Sequence, residues 1–401
     1  MFALLIWASC LLAVVSSHPL RRKAPCPPLG NGTITIASYQ LYPENVDFDE
    51  HSCLLWYAPK PYANIGSLYN ASVVVYDPYA ASVVATLEFP HITRTKPFHI
   101  GGVAWDPYSS SRSKGGEAAA DQITILVDAA PAHETAGRDV SGDNYVLRWD
   151  AVAQKVLWSV NLTATTRGRY GGPQDIEHDR RGNIYVLGTY PGTLLRVAGD
   201  GSAVDEWYIP PPSLSNGSNS GGGGAQINHA VVGYTGLAAA DGDVLLVADA
   251  KNHSADGGAL YRFDMSAAKG VPALVPVVPS SRAANASSAI VRPGDAIYLP
   301  PKYNNTVLLI AEHDAGVSVV RSVDGSARWR TAEFLGRIPN PPDVAASGAL
   351  VTAAVEMAGR VFMVEEWFSD TLVPGTSAGN RTMFPLVDIT AQLEALVSPQ
   401  R

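Results

Sequence analysis

The chain has 401 residues, 29 basic and 37 acidic side chains, a net charge of −8, and only 16% charged residues overall. A chain of this length buries a large core, which excludes disorder for most of it. The acidic balance leaves no basic face for nucleic acid or for anionic lipid.

Residues 3–15 form an apolar run too short to span a bilayer well, and Ser16 and Ser17 follow it. This is the pattern of a secretory signal without the usual leading positive charge, the alternative being a buried N-terminal helix. The division expected is a signal over 1–17, an arm over 18–32 with a trimmable Arg21-Arg22-Lys23, and one domain over 33–401. No later segment holds 18 uninterrupted apolar residues, so no membrane span is expected. The protein is placed in the secretory pathway as a monomer, either secreted or kept in an endomembrane compartment.

Cys10 lies in the signal, which leaves Cys26 and Cys53. On an oxidising route an even pair predicts one disulfide, against the alternative of two free buried thiols. Eight N-x-[ST] sequons stand at Asn31, Asn70, Asn161, Asn216, Asn252, Asn285, Asn304 and Asn380. Several are expected to carry glycans, each at the surface.

Next comes an internal repeat. A first strand returns as ENVDFD (44–49), GGVAWD (101–106), QDIEHD (174–179), TGLAAA (235–240), GDAIYL (294–299) and TAAVEM (352–357). A second strand follows each: CLLWYA (53–58), ITILVD (123–128), NIYVLG (183–188), VLLVAD (244–249), VLLIAE (307–312) and VFMVEE (361–366). A hairpin then closes most units, with Asp77, Asp150 and Asp264 read as turn residues. Repeats of about 60 residues with four short strands are propeller blades, so the fold class is all-β, a six-bladed β-propeller. TITIASYQ (33–40) is a candidate closing strand for the last blade. The Gly/Ser-rich stretches 109–120 and 213–224 read as surface loops.

In a propeller, the starts of first strands and the ends of second strands open on one face. That face should gather Glu44, Asn45, His99, Gln174, Asp175, Tyr234 and Asp295 with Tyr57, Asp128, Tyr190, Asp249, Glu312, His313, Glu366 and Trp367. Glu44, Asp175 and Asp295 could hold calcium or magnesium through oxygen ligands, act as general acid and base, or cap backbone amides. His99 precedes a Gly-Gly pair that permits close approach to the backbone, and it is either catalytic or a hydrogen-bonded plug. The catalytic set is therefore Glu44, His99, Asp175 and Asp295. Tyr57, Gln174, Tyr190, Tyr234, Glu312 and Trp367 are the expected substrate-binding residues, with packing between blades as the alternative for the aromatics. His313 reads as a solvated loop histidine. GxSxG, P-loop and HExxH signatures are absent.

PENVDFD, SLYNASVVVYDPY, HIGGVAWD, VSGDNYVLRWD, GNIYVLGTYPGTLLRV, DAIYLPPKY and VPGTSAGNRTMFPLVDIT resemble the fungal core trichothecene cluster protein fourteen family, from about Pro25 to about Leu396. More distantly the chain is similar to the propellers of gluconolactonases and senescence-marker-type lactonases. The resemblance implies a role in making a sesquiterpenoid mycotoxin and in virulence. It also implies a cyclase closing the oxygen-bridged ring of a hydroxylated trichodiene derivative (isotrichotriol to isotrichodermol) with loss of water and without a cofactor. The lactonase likeness implies instead a metal-dependent hydrolase of lactones or esters, with Glu44, Asp295 and an amide near Gln174 at the metal. A third reading is a propeller that binds a metabolite or host protein without turnover.

Overall fold

The computed structural model describes residues 26–49, 61–95, 97–109, 122–211, 233–250, 258–280, 292 and 294–398. The expected signal, Cys53, Tyr57 and the 213–224 loop lie outside the described residues, as do Asn216, Asn252 and Asn285.

The first strand, β1 (Ile34–Ala37), begins no blade. The first blade is an antiparallel meander of β2 (Pro43–Phe48), β3 (Ala63–Ser67), β4 (Ser72–Asp77) and β5 (Ser82–Leu87). The second holds β6 (Phe98–Trp105), β7 (Gln122–Ala129), β8 (Tyr145–Asp150) and β9 (Lys155–Asn161). The third holds β10 (Gly171–His178), β11 (Ile184–Tyr190), β12 (Thr193–Val197) and β13 (Val204–Tyr208). The fourth holds β14 (Tyr234–Ala240), β15 (Val244–Asp249), β16 (Ala259–Asp264) and β17 (Ala273–Leu274).

In the fifth blade, β18 (Val277–Pro279) runs parallel along the outside of β22 (Ala332–Ile338). Inward from β22 lie β21 (Val317–Ser322), β20 (Val307–Ala311) and β19 (Ile297–Tyr298). The sixth holds β23 (Leu350–Met357), β24 (Arg360–Glu366) and β25 (Met383–Asp388), and β1 completes it by pairing Ile36 with Phe384. The first strands of the blades touch in sequence round the ring, and β2 meets β23 to close it. Six blades form one propeller.

Burial explains the strand composition. β20 is buried at every position, between the core clusters that fill the gaps on its two sides. β5, on the rim of the ring, is exposed along nearly its whole length. The turn aspartates behave as the sequence predicts: Asp77 accepts the amides of Tyr79 and Ala80, Asp150 those of Val152 and Ala153, and Asp264 that of Ser266.

One strand assignment is corrected. The second strand of the first blade is Ala63–Ser67, whereas the 53–58 stretch with Tyr57 lies outside the described residues. The strand is rich in small residues because the neighbouring blade lies close. A Cβ on Gly66 would come within 2.8 Å of Ile100 Cγ2.

Blades are also locked by polar side chains. Asp47 accepts the Trp105 amide of the next inner strand. Arg148, buried, joins Asp106 and His178 between the second and third blades. Of the sequon asparagines, Asn31, Asn304 and Asn380 are exposed, and Asn70 and Asn161 are half-buried. No helix among the described residues is long and apolar enough to cross a membrane.

Candidate active site

A single backbone device builds the mouth of the central channel. Five inner strands carry a β-bulge near their start, at Glu44, Gly101, Gln174, Thr235 and Thr352. A bulge adds one residue to a strand and re-aims its side chain. Four of these five residues line one cavity of about 490 Å³, and Gly294 and Asp295 line it from the fifth blade. Asp128, His99, His133, Thr189, Tyr190 and His313 add polar groups, while Leu68, Tyr69, Leu350 and Phe368 supply apolar wall.

The polar groups fall into two constellations. On one side, Gln174 donates its amide to Asp295 Oδ1 and accepts from Thr189 Oγ1 at 2.8 Å. His313 Nε2 meets Asp295 Oδ2 at 3.2 Å, and that hydrogen bond raises the imidazole pKa above its ordinary value. His313 is held by two backbone hydrogen bonds to Val351 and adopts a left-handed φ of 44°.

On the other side stands Asp128, with His99 Nδ1 and His133 Nε2 each 3.9 Å from its Oδ1. Burial pushes the Asp128 carboxyl up to about 8, with Glu134 adding to the rise. Burial pushes His99 down to about 3 and His133 down to about 4. Glu44 closes the floor. Burial, then Asp295 and Glu366, hold its carboxyl well above the usual range.

Several buried oxygens in this region meet no hydrogen-bond partner among the described residues: Glu44 Oε2, Asp128 Oδ1 and Thr235 Oγ1. Such atoms are costly unless something else satisfies them, which is the mark of a site awaiting a polar ligand.

Trichothecene biosynthesis protein 14 of Trichoderma arundinaceum is 33% identical to this chain over 388 residues, 93% of this chain and 92% of its own length. The chain belongs to that protein's family. Core trichothecene cluster (CTC) protein 14 of Fusarium sporotrichioides is 28% identical over 391 residues, 94% of this chain and 89% of its own. No family model matches. Among solved structures, the Malassezia sympodialis allergen Mala s 1 superposes with a TM-score of 0.63 at 19% identity, covering 90% of this chain and 96% of its own, a likeness of fold.

Within this family member, Glu44, His99, Gln174, Tyr190 and Asp295 are brought to one cavity. Asp175 is not among its lining residues. Its two oxygens accept the amides of Ile176 and Leu237, each at 2.8 Å, so it ties the third blade to the fourth. Tyr234 packs into an inter-blade core and stacks on Tyr208. Glu312 is buried against Arg337 and the Arg292 amide. Trp367 lies in the core beneath Arg381 and donates to Ser347. None of these three is among the described residues that line the cavity: Tyr234 and Trp367 pack into cores between blades, and Glu312 is held by ion-pair and amide partners within its own blade. His133, Tyr69, Thr189, Thr235 and Phe368 line the cavity without having been singled out.

The metal set implied by the lactonase likeness does not fit. Asp295 meets donors on both oxygens, and Gln174 turns its NH₂ toward Asp295 and gives its oxygen to Thr189. Among the described residues, no three carboxylate, imidazole or thiol groups converge as metal ligands.

Proposed function

We propose that the protein carries out a step of trichothecene-type sesquiterpenoid biosynthesis: closure of an oxygen bridge in a hydroxylated trichodiene derivative with loss of water. The observation that carries this reading is the company kept in one cavity. Carboxyls driven toward their neutral form face Asp295, whose two oxygens are met by Gln174 and His313, within a partly apolar wall. The cavity lies within the usual size range for small-molecule sites, roughly 300–1,000 Å³.

Ring closure needs one hydroxyl to lose a proton as it attacks carbon and another to gain one as it leaves as water. A neutral carboxyl donates to the leaving oxygen, and Asp295 on the opposite wall accepts from the attacking one. Tyr69, Tyr190, Leu350 and Phe368 fold the substrate and exclude water, and much of the acceleration comes from that orientation.

The test is incubation of purified protein with isotrichotriol, followed by mass spectrometry for the product lighter by one water. Deletion of the gene should in parallel accumulate the hydroxylated precursor. Conversion no faster than without protein overturns the reading, and binding without turnover would favour a carrier.

A further inference from the structure

We propose that Asp128 is the catalytic acid of this site, and that His133 and His99 position the oxygen it protonates. The inference rests on the ring-closure reading and names the group that acts on the leaving hydroxyl. Asp128 is the penultimate residue of β7, opposite His99, its register partner in β6. His133 reaches in from α1 (Pro131–Glu134), a single turn that follows β7 directly. The carboxyl is 1% exposed, and its Oδ1 meets no hydrogen-bond partner among the described residues.

Both imidazole nitrogens stand 3.9 Å from Oδ1, too far to bond it directly. Each gap leaves room for an oxygen that bridges Oδ1 and the imidazole beside it. The ring edges are fixed from behind: His99 meets Tyr69 edge-on at 5.5 Å and His133 meets Tyr190 at 5.6 Å. Gly101 is required here, because a Cβ would come within 3.0 Å of Asp128 Oδ2.

The chemistry follows from this seat. The leaving hydroxyl accepts the Asp128 proton and donates its own hydrogen to the neutral His133 Nε2. The C–O bond to that oxygen breaks as the new C–O bond forms, and water departs from between the imidazoles. Asp295 takes the proton of the attacking hydroxyl and releases it to solvent, and solvent returns a proton to Asp128, so no net proton is gained or lost. The titratable groups facing Asp128 are His99 from β6 and His133 and Glu134 from α1, with Glu44 across the floor. Burial keeps both imidazoles neutral, so neither draws the proton from the acid.

The experiment compares wild type, Asp128→Asn, Asp128→Glu and His133→Gln on isotrichotriol. Asp128→Asn should fold, bind and lose turnover by about a hundredfold or more, the usual scale for a positioned acid. Asp128→Glu should recover part of it. His133→Gln should lower kcat with little change in KM and leave the alkaline limb of the pH profile in place, since that limb belongs to Asp128. Infrared difference spectra should show a protonated carboxyl at neutral pH that Asp128→Asn removes. Wild-type turnover in Asp128→Asn, or no such carboxyl, overturns the inference while the ring-closure reading stands. An inert wild type overturns both.

Discussion

The amide of Leu237 donates to Asp175 Oδ2 at 2.8 Å, so a buried carboxyl on one inner strand holds the start of the next blade's inner strand. With Ile176 on the other oxygen, Asp175 is a cross-blade clamp. Asparagine there offers one acceptor where two donors wait, and it aims its NH₂ at a backbone N–H. Asp175→Asn should therefore cost stability, about 1–3 kcal/mol for a buried group left unsatisfied. Turnover by the folded fraction should fall only a few-fold. Urea titration with single-turnover rates checks both, and a folded, full-stability variant without activity would put Asp175 back in the chemistry.

Ring closure depends on β1. Ile36 is fully buried against the sixth blade and pairs with Phe384. Truncating it removes apolar contact in the strand that joins the chain's ends. Ile36→Ala should destabilise by about 2–5 kcal/mol. Thermal unfolding should show the loss, and limited proteolysis should cut first near β1. An unchanged melting temperature would mean that the ring holds without this strand.

The six blades were legible because a short inner strand with a buried apolar residue at its centre returns at near-constant spacing. The cavity was legible as a set of strand starts, which is how Glu44, His99, Gln174 and Asp295 came together. Which of Gln174 and Asp175 faces the ligand was not. A bulge adds one residue, and period-two alternation then fails at that point. The bulges nonetheless recur two residues before Val46, Val103, Ile176, Leu237 and Ala354, a fixed place that could have given Glu44, Gln174 and Thr235 at once. The first blade misled because CLLWYA is more apolar than ANIGS, the strand that close packing selects. His133 sits on a helix of four residues, too short to leave a period.

The arm before β1 is tied down by more than its strand. Tyr79 donates to the Pro27 carbonyl at 2.7 Å, and Cys26 packs against the core between the first and sixth blades. We propose that Cys26 bonds Cys53, which would fasten this arm to the first blade. Closing a loop of that length contributes about 3 kcal/mol in the chain-entropy model. Cys26→Ser should lower the melting temperature of the oxidised protein and leave that of the reduced protein unchanged. Alkylation of both thiols without prior reduction, read by mass spectrometry, would end the idea.

Asp128 and its two imidazoles give stability a pH signature with opposite slopes. Between the ordinary carboxyl value of 3.8 and about 8, the unfolded chain has released the Asp128 proton while the folded chain keeps it. That difference makes stability fall as pH rises through the window. His99 and His133 act in reverse: below about 6.5 the unfolded chain protonates them, and the folded chain resists until about 3 to 4, so stability falls as pH drops. Asp128→Asn deletes only the first slope. Its stability relative to wild type should therefore climb from pH 5 to pH 8, by at most about 1.4 kcal/mol per pH unit. Urea midpoints at the two pH values measure the gap. A gap that stays constant would show that Asp128 ionises alike in both states and is not held as an acid by its burial.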